Sequence, residues 1–253
     1  MWNGTISIGP VHVPVQLFSA VQDKTVHFRQ VHLPDGGKIE HRRFCSKEDR
    51  EVPYEEVVKG YELGDGEMVL LQGDEVKAAA GARTHVIEVE HFVPAADVDP
   101  VFYDKPYTLG ARAEGCEAYR TLVEALERTG RLAIGRFTFH NREYLAAVGV
   151  RDGLLALHTL RFAEEVVAGA DLDLEDPRKA PGDREVDMAG RLVESLHKPF
   201  DPGDYADEHR EQVLALIERK AKGETIEAPE PEEPEETDDL LAALEASLAG
   251  ARA

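Results

Sequence analysis

Arginine and lysine are the side chains whose type and spacing could do chemistry in this sequence. Lys24, Arg29, Lys38, Arg42, Arg43 and Lys47 fall between positions 24 and 47 against two acids, Asp35 and Glu40. Arg128, Arg131, Arg136 and Arg142 fall between positions 128 and 142 against none. A guanidinium presents a planar fork of donors that matches phosphate oxygens, so the two islands read as one locally positive face for a polyanion, with paired or solvated arginines as the alternative. Aromatic residues do not interleave with them as a base-stacking platform requires, which favours duplex backbone over single strands. The whole chain opposes this reading: 29 Lys+Arg against 50 Asp+Glu give a net charge of −21, and a uniformly acidic surface repels phosphate. Where the charge sits therefore matters more than its sum.

Signatures of catalysis are scarce. The sequence has no G-x-x-x-x-G-K-[ST] phosphate loop, no G-x-S-x-G elbow, no H-E-x-x-H and no G-x-G-x-x-G after a strand. His140-Asn141 with nearby acids would suit a metal-dependent hydrolase or nuclease, yet no further ligands follow at suitable spacing. The pairs Glu55-Glu56 and Glu164-Glu165 read as solvated surface. Cys45 and Cys116 lack C-x-x-C spacing and read as two reduced, half-buried thiols. No catalytic residue, metal or cofactor is expected. No apolar run approaches the ~20 residues of a membrane-spanning helix, and Met1-Trp2-Asn3-Gly4 opens no signal peptide, so a cytoplasmic protein without a membrane partner is expected.

The elements that must carry these residues are mostly strands. Val11, Val13, Val15 and Leu17 alternate with His12, Pro14, Gln16 and Phe18, and Pro14 points to an edge or an irregularity. Residues 26–33 and 38–45 flank the turn Pro34-Asp35-Gly36-Gly37 and read as a hairpin bearing Lys38, Arg42 and Arg43. Residues 53–58 suit a short helix with Pro in its first turn. Gly64-Asp65-Gly66 separates the strands of a second hairpin, 61–63 and 68–72, and residues 84–93 alternate as a further strand. Asp99-Pro100 and Lys105-Pro106 break the next extended stretch. Tyr119, Leu122, Val123 and Leu126 make one helical stripe stopped by Thr129-Gly130. Residues 131–139, 142–148 and 154–162 return to strand, and helices follow over about 183–197 and 205–222. Many short strands with turn punctuation favour a barrel or sandwich over a doubly wound sheet.

Between positions 223 and 239 lie nine acids, no basic residue and three prolines, too little apolar surface to offset ordering entropy, so this is a disordered tether. An acidic run of this kind can also act as a phosphate mimic. Leu240, Leu241, Leu244 and Leu248 then form the apolar face of a short amphipathic helix, a docking element that folds against a partner or its own core.

The opening Trp2-Asn3-Gly4-Thr5-Ile6-Ser7-Ile8-Gly9-Pro10-Val11-His12-Val13-Pro14-Val15 closely resembles that of bacterial Ku proteins. So do Phe28-Arg29-Gln30-Val31-His32, the stretch Glu51-Val52-Pro53-Tyr54-Glu55-Glu56-Val57-Val58-Lys59-Gly60-Tyr61-Glu62, and Phe92-Val93-Pro94-Ala95. Further along, Ala125-Leu126-Glu127-Arg128-Thr129-Gly130-Arg131-Leu132-Ala133-Ile134, Asn141-Arg142-Glu143 and Leu157-His158-Thr159-Leu160 match in order.

The resemblance implies a β-rich mixed fold: a Ku-type β-barrel core with bridging strands and C-terminal helices, assembled as a ring-shaped homodimer that encircles the ends of linear double-stranded DNA. It implies a non-enzymatic role in non-homologous end joining, in which break ends are held and an ATP-dependent DNA ligase (ligase D) is recruited. Carried onto this chain, residues 131–162 would help form the bridge. The backbone-phosphate candidates are then Lys38, Arg42, Arg43, Arg128, Arg131, Arg136, Arg142 and Arg151, and the leucine helix would dock the ligase or the second subunit. The chain would divide into a barrel and bridge core over 1–200, a helical segment of that core over 201–222, the acidic linker over 223–239 and the helical tail over 240–253.

The sequence departs from the family pattern in places. Ser46-Lys47-Glu48 stands where many relatives have a second Cys, Arg161-Phe162 replaces a Trp often seen after His-Thr-Leu, and Arg252 is the sole basic residue after Lys222, where many members carry a lysine-rich extension. With them, a DNA-independent assembly scaffold that kept the barrel remains a second class to weigh beside the hydrolase.

Overall fold

The computed structural model describes residues 2–64, 66–79, 85–139, 142–173, 180, 182–224, 243–244 and 247. In chain order the elements are β1 (Trp2–Ile8), β2 (Val11–Ser19), β3 (Phe44–Cys45), β4 (Arg50–Glu51), β5 (Lys59–Glu62), β6 (Met68–Leu71) and α1 (Gly73–Ala79). Then come β7 (Val86–Pro94), β8 (Tyr103–Ala111), α2 (Cys116–Thr129), β9 (Arg131–Phe139), β10 (Arg142–Arg151), β11 (Leu154–Leu160), α3 (Asp183–Ser195) and α4 (Glu208–Ala221). The chain divides into two compact units, one of Met1–Asp23 with Arg29–Leu172 and one of Lys24–Phe28 with Asp173–Ala253.

The first unit is a closed barrel in the order β1-β2-β8-β11-β10-β9-β7, antiparallel throughout except where β7 returns beside β1 in parallel. Period two explains it: Val13, Val15 and Leu17 of β2 point inward with Ile6, Ile87, Leu109, Leu155 and Leu157, all buried. Strands β9 to β11 are apolar on both faces, because Ile134, Ala147 and Leu160 form a second cluster under Val93, Phe102, Tyr103 and Leu145. Helix α2 buries Tyr119, Val123 and Leu126 against β2, β9 and β10. Since β2 is not a barrel neighbour of the other two, the helix closes one end of the barrel. It stops at Gly130, whose φ of 61° suits glycine and whose N–H bonds the Leu126 carbonyl at 2.9 Å. Gly135 is required by close approach: a Cβ there would lie 2.2 Å from the Glu88 carbonyl oxygen, beside the register shift between Val89 and His91.

Several expectations change. Residues 26–45 do not form a two-stranded hairpin; one bridge, Val31 to Lys38, surrounds the turn, with His32 Nδ1 2.8 Å from Asp35 Oδ1. The alternation there has nothing to bury against, since the segment is exposed almost throughout, and two unsupported strands are marginal in water. The helix expected over 53–58 shrinks to one 3₁₀ turn, Tyr54–Glu56. Pro106 lies inside β8 rather than ending it: the ladder shifts between His158 and Leu160, and the Thr159 hydroxyl accepts the Lys105 N–H at 3.0 Å. Strands β9, β10 and β11, which fill most of the 131–162 stretch expected to help form the bridge, are staves of the barrel. The strands off the barrel are β3 with β4 and β5 with β6, and every residue of β5 and β6 is exposed.

In the second unit, Asp207 caps α4 by accepting the Arg210 N–H at 2.9 Å, and the Arg210 Nε donates to the Lys24 carbonyl at 2.9 Å. None of its described residues is buried, and Val186, Val193, Leu196, Phe200 and Tyr205 are exposed. No helix among the described residues is long and apolar enough to cross a membrane.

Candidate nucleic-acid interface

The barrel strands spread the β9 and β10 arginines along the stave direction. Val148 lies opposite Ala133 and Arg142 opposite Phe139, so Arg131 and Arg151 mark one end of the pair, Arg136 the middle and Arg142 the other end. At about 3.3 Å per residue, Arg142 and Arg151 are roughly 30 Å apart along β10. The island read as one positive patch is therefore a line of separate charges.

Most of those charges already have carboxylates. Arg136 Nε contacts Glu90 at 3.0 Å and its Nη1 contacts Glu143 at 3.4 Å. Arg142 pairs with Glu165 at 2.8 Å and lies 5.4 Å above the Tyr144 ring. Arg151 sits 3.4 Å from Thr108 Oγ1 and 3.8 Å from Asp152. Arg128 pairs with Glu124 one helical turn away on α2, away from the strands. In the long connection after β2, Arg42 pairs with Glu51 at 3.1 Å and Arg43 stacks 4.9 Å over Tyr54. Lys38 and Arg131 have no ion pair among the described residues. All eight candidates are solvent-facing.

One concave feature joins a candidate to residues outside the set of phosphate candidates. Asp104, Lys105, Arg142, Tyr144, Leu160, Arg161, Phe162 and Glu165 line a cleft of about 290 Å³. Arg161 Nη1 donates to the carbonyls of Val101, at 2.9 Å, and Tyr103, and Nη2 faces Asp104 at 3.6 Å. Glu165 accepts the Phe162 N–H at 2.8 Å, and that bond, with Arg142 beside it, holds its carboxyl below the usual range. Lys105 has no ion pair among the described residues. The cleft exists because β8 and β11 pair Tyr103 with Leu160, a long-range register that no local spacing announces.

Such a surface can hold a polyanion through its backbone and reads no sequence. Tyr107, Phe137, Phe139 and Tyr144 pack on one another and offer no stacking platform. No group of three His, Cys, Asp or Glu side chains is arranged to hold a metal among the described residues. His140 and Asn141 lie outside the described residues, as do Leu240, Leu241 and Leu248, while Leu244 is half-buried in a helical stretch.

A family model, described as the Ku70/Ku80 β-barrel domain, matches residues 7–188. The chain is 42% identical to a non-homologous end joining protein Ku from Anaeromyxobacter sp. (strain K), across 100% of this chain and 86% of that protein. It is 37% identical to the protein of the same name from Mycobacterium tuberculosis, across 98% and 94%. A protein Ku 1 from Geotalea uraniireducens is 36% identical, across 97% and 94%.

Proposed function

The chain belongs to the Ku family, and from that premise we propose that it binds the ends of linear double-stranded DNA as a homodimeric ring in non-homologous end joining. In this reading it performs no catalysis itself and recruits an ATP-dependent DNA ligase (ligase D) to the held ends. The observation that carries the assembly is the apolar surface outside the barrel. Phe44, Tyr61, Met68, Val69, Leu70 and Leu71 are exposed on strands that pair only with each other, a surface fit for a second copy.

A ring retains DNA by topology, so its inner surface needs only scattered positive charge, and few net phosphate contacts permit sliding. Lys38, Arg42, Arg43, Arg131, Arg136, Arg142 and Arg151 are proposed as backbone contacts without base readout. Arg128, which is on α2 and paired with Glu124, is proposed with them. The leucine-rich segment of Leu240, Leu241, Leu244 and Leu248 is proposed to meet the ligase, with the second subunit as the alternative.

The test is a gel shift of one duplex presented as an open linear form, a linear form with both ends blocked by bulky adducts, and a closed circle, at two salt concentrations. Binding of the open form alone supports threading. Equal binding to all three means side-on attachment, and no binding puts an assembly scaffold first.

A further inference from the structure

Arg136 stands on the central of three adjacent strands and receives one carboxylate from each neighbour: Glu90 from β7 on its Nε and Glu143 from β10 on its Nη1. One donor on each edge of the guanidinium that would grip a phosphate is thereby engaged. The three side chains are about half exposed, at 50% for Arg136, 45% for Glu90 and 57% for Glu143, so an outside anion can reach them. The triad carries one negative charge in total, and its two acids flank the cation rather than sharing it with a buried partner.

Resting on the functional reading above, we infer that Glu90 and Glu143 are resident competitors for phosphate at Arg136. DNA binding there is an exchange reaction: a backbone phosphate takes the fork and at least one carboxylate is released to water. The same relation recurs where Glu165 holds Arg142. The exchange has two consequences. Each such contact yields less affinity than a free arginine would, and fewer counterions are released per contact, so binding depends less steeply on salt. A ring built this way slides because its contacts are nearly balanced between internal acid and external phosphate.

The experiment uses the full chain and an open-ended linear duplex, with affinity followed over a salt series by fluorescence anisotropy. Glu90→Gln with Glu143→Gln is expected to tighten binding roughly threefold to tenfold and to steepen the salt dependence by about one counterion. Adding Arg136→Ala to that pair should abolish the gain. A matched loss of two charges on α2, Glu117→Gln with Glu127→Gln, should give a smaller change without the steeper slope. The inference is overturned if the double variant binds as the unaltered chain does, if the gain survives Arg136→Ala, or if the α2 control matches it. Failure of the unaltered chain to bind any duplex overturns the functional reading itself, and the inference with it.

Discussion

The Tyr119 hydroxyl is inserted into a strand ladder: it accepts the Leu155 N–H at 2.9 Å and donates to the Leu109 carbonyl at 2.6 Å, although Leu155 and Leu109 face each other across β11 and β8. One side chain of α2 thus ties the helix to two staves of the barrel, in a site where all three residues are buried.

Tyr119→Phe keeps the ring and removes both bonds, leaving a buried N–H and a buried carbonyl without partners. The expected loss is about 1–3 kcal/mol, read by chemical denaturation. Burial raises the Tyr119 phenol above 10.0. Its contribution is complete below the unfolded value and is lost as pH rises through the folded one, so the stability gap between the two proteins should narrow above pH 10.0. A gap that stays constant would exclude the bonded phenol as its source.

His158 stands edge-on to Tyr103, with ring centroids 5.2 Å apart, and burial, with Arg151 as the lesser cause, holds its pKa below 6.5. A depressed folded value means stability that is present above 6.5 and declines as pH falls through the folded pKa. His158→Phe preserves the aromatic contact and carries no proton. Its stability relative to the unaltered chain should rise steadily as the buffer is taken below pH 6.5, and parallel curves would count against this residue.

Leu70 on β6 is 65% exposed and contributes nothing to the barrel core. In the proposed homodimer, Leu70→Asp should therefore leave the circular dichroism spectrum and thermal midpoint of the barrel unchanged while shifting the sedimenting species from dimer to monomer. In the ring reading, capture of open DNA ends falls with it. A dimer that survives the substitution would place the subunit interface elsewhere.

How much of this was legible beforehand follows the range of the interactions. Val13, Val15 and Leu17, or Tyr119, Val123 and Leu126, announce β2 and α2 because period two and period 3.6 are local. Strand β1 was harder to read as a pattern, since Gly4 occupies an inward position that the Trp2 ring fills; a Cβ on Gly4 would lie 2.0 Å from that ring. The hairpin expected over 26–45 had the pattern without a surface to pack on. The arginines stand out in the sequence by type but do not gather into one patch, and spacing along the chain does not announce their partners Glu90, Glu143 and Glu165.

The same limit leaves Lys105 and Arg161 outside the phosphate candidates that spacing selects, and it separates their expected roles. Arg161 fastens the carbonyls of Val101 and Tyr103 and faces Asp104, so Arg161→Ala frees three acceptors at the β8 entrance and should destabilise the barrel. Lys105 lines the same cleft, its backbone N–H is bonded to the Thr159 hydroxyl, and it has no ion pair among the described residues. Lys105→Ala should leave the unfolding midpoint where it is and weaken duplex binding by a factor of about two to five, with a salt slope lower by about one. If affinity and slope were unchanged by Lys105→Ala while the fold stayed intact, the cleft would be a structural junction of β8, β10 and β11, with no phosphate held in it.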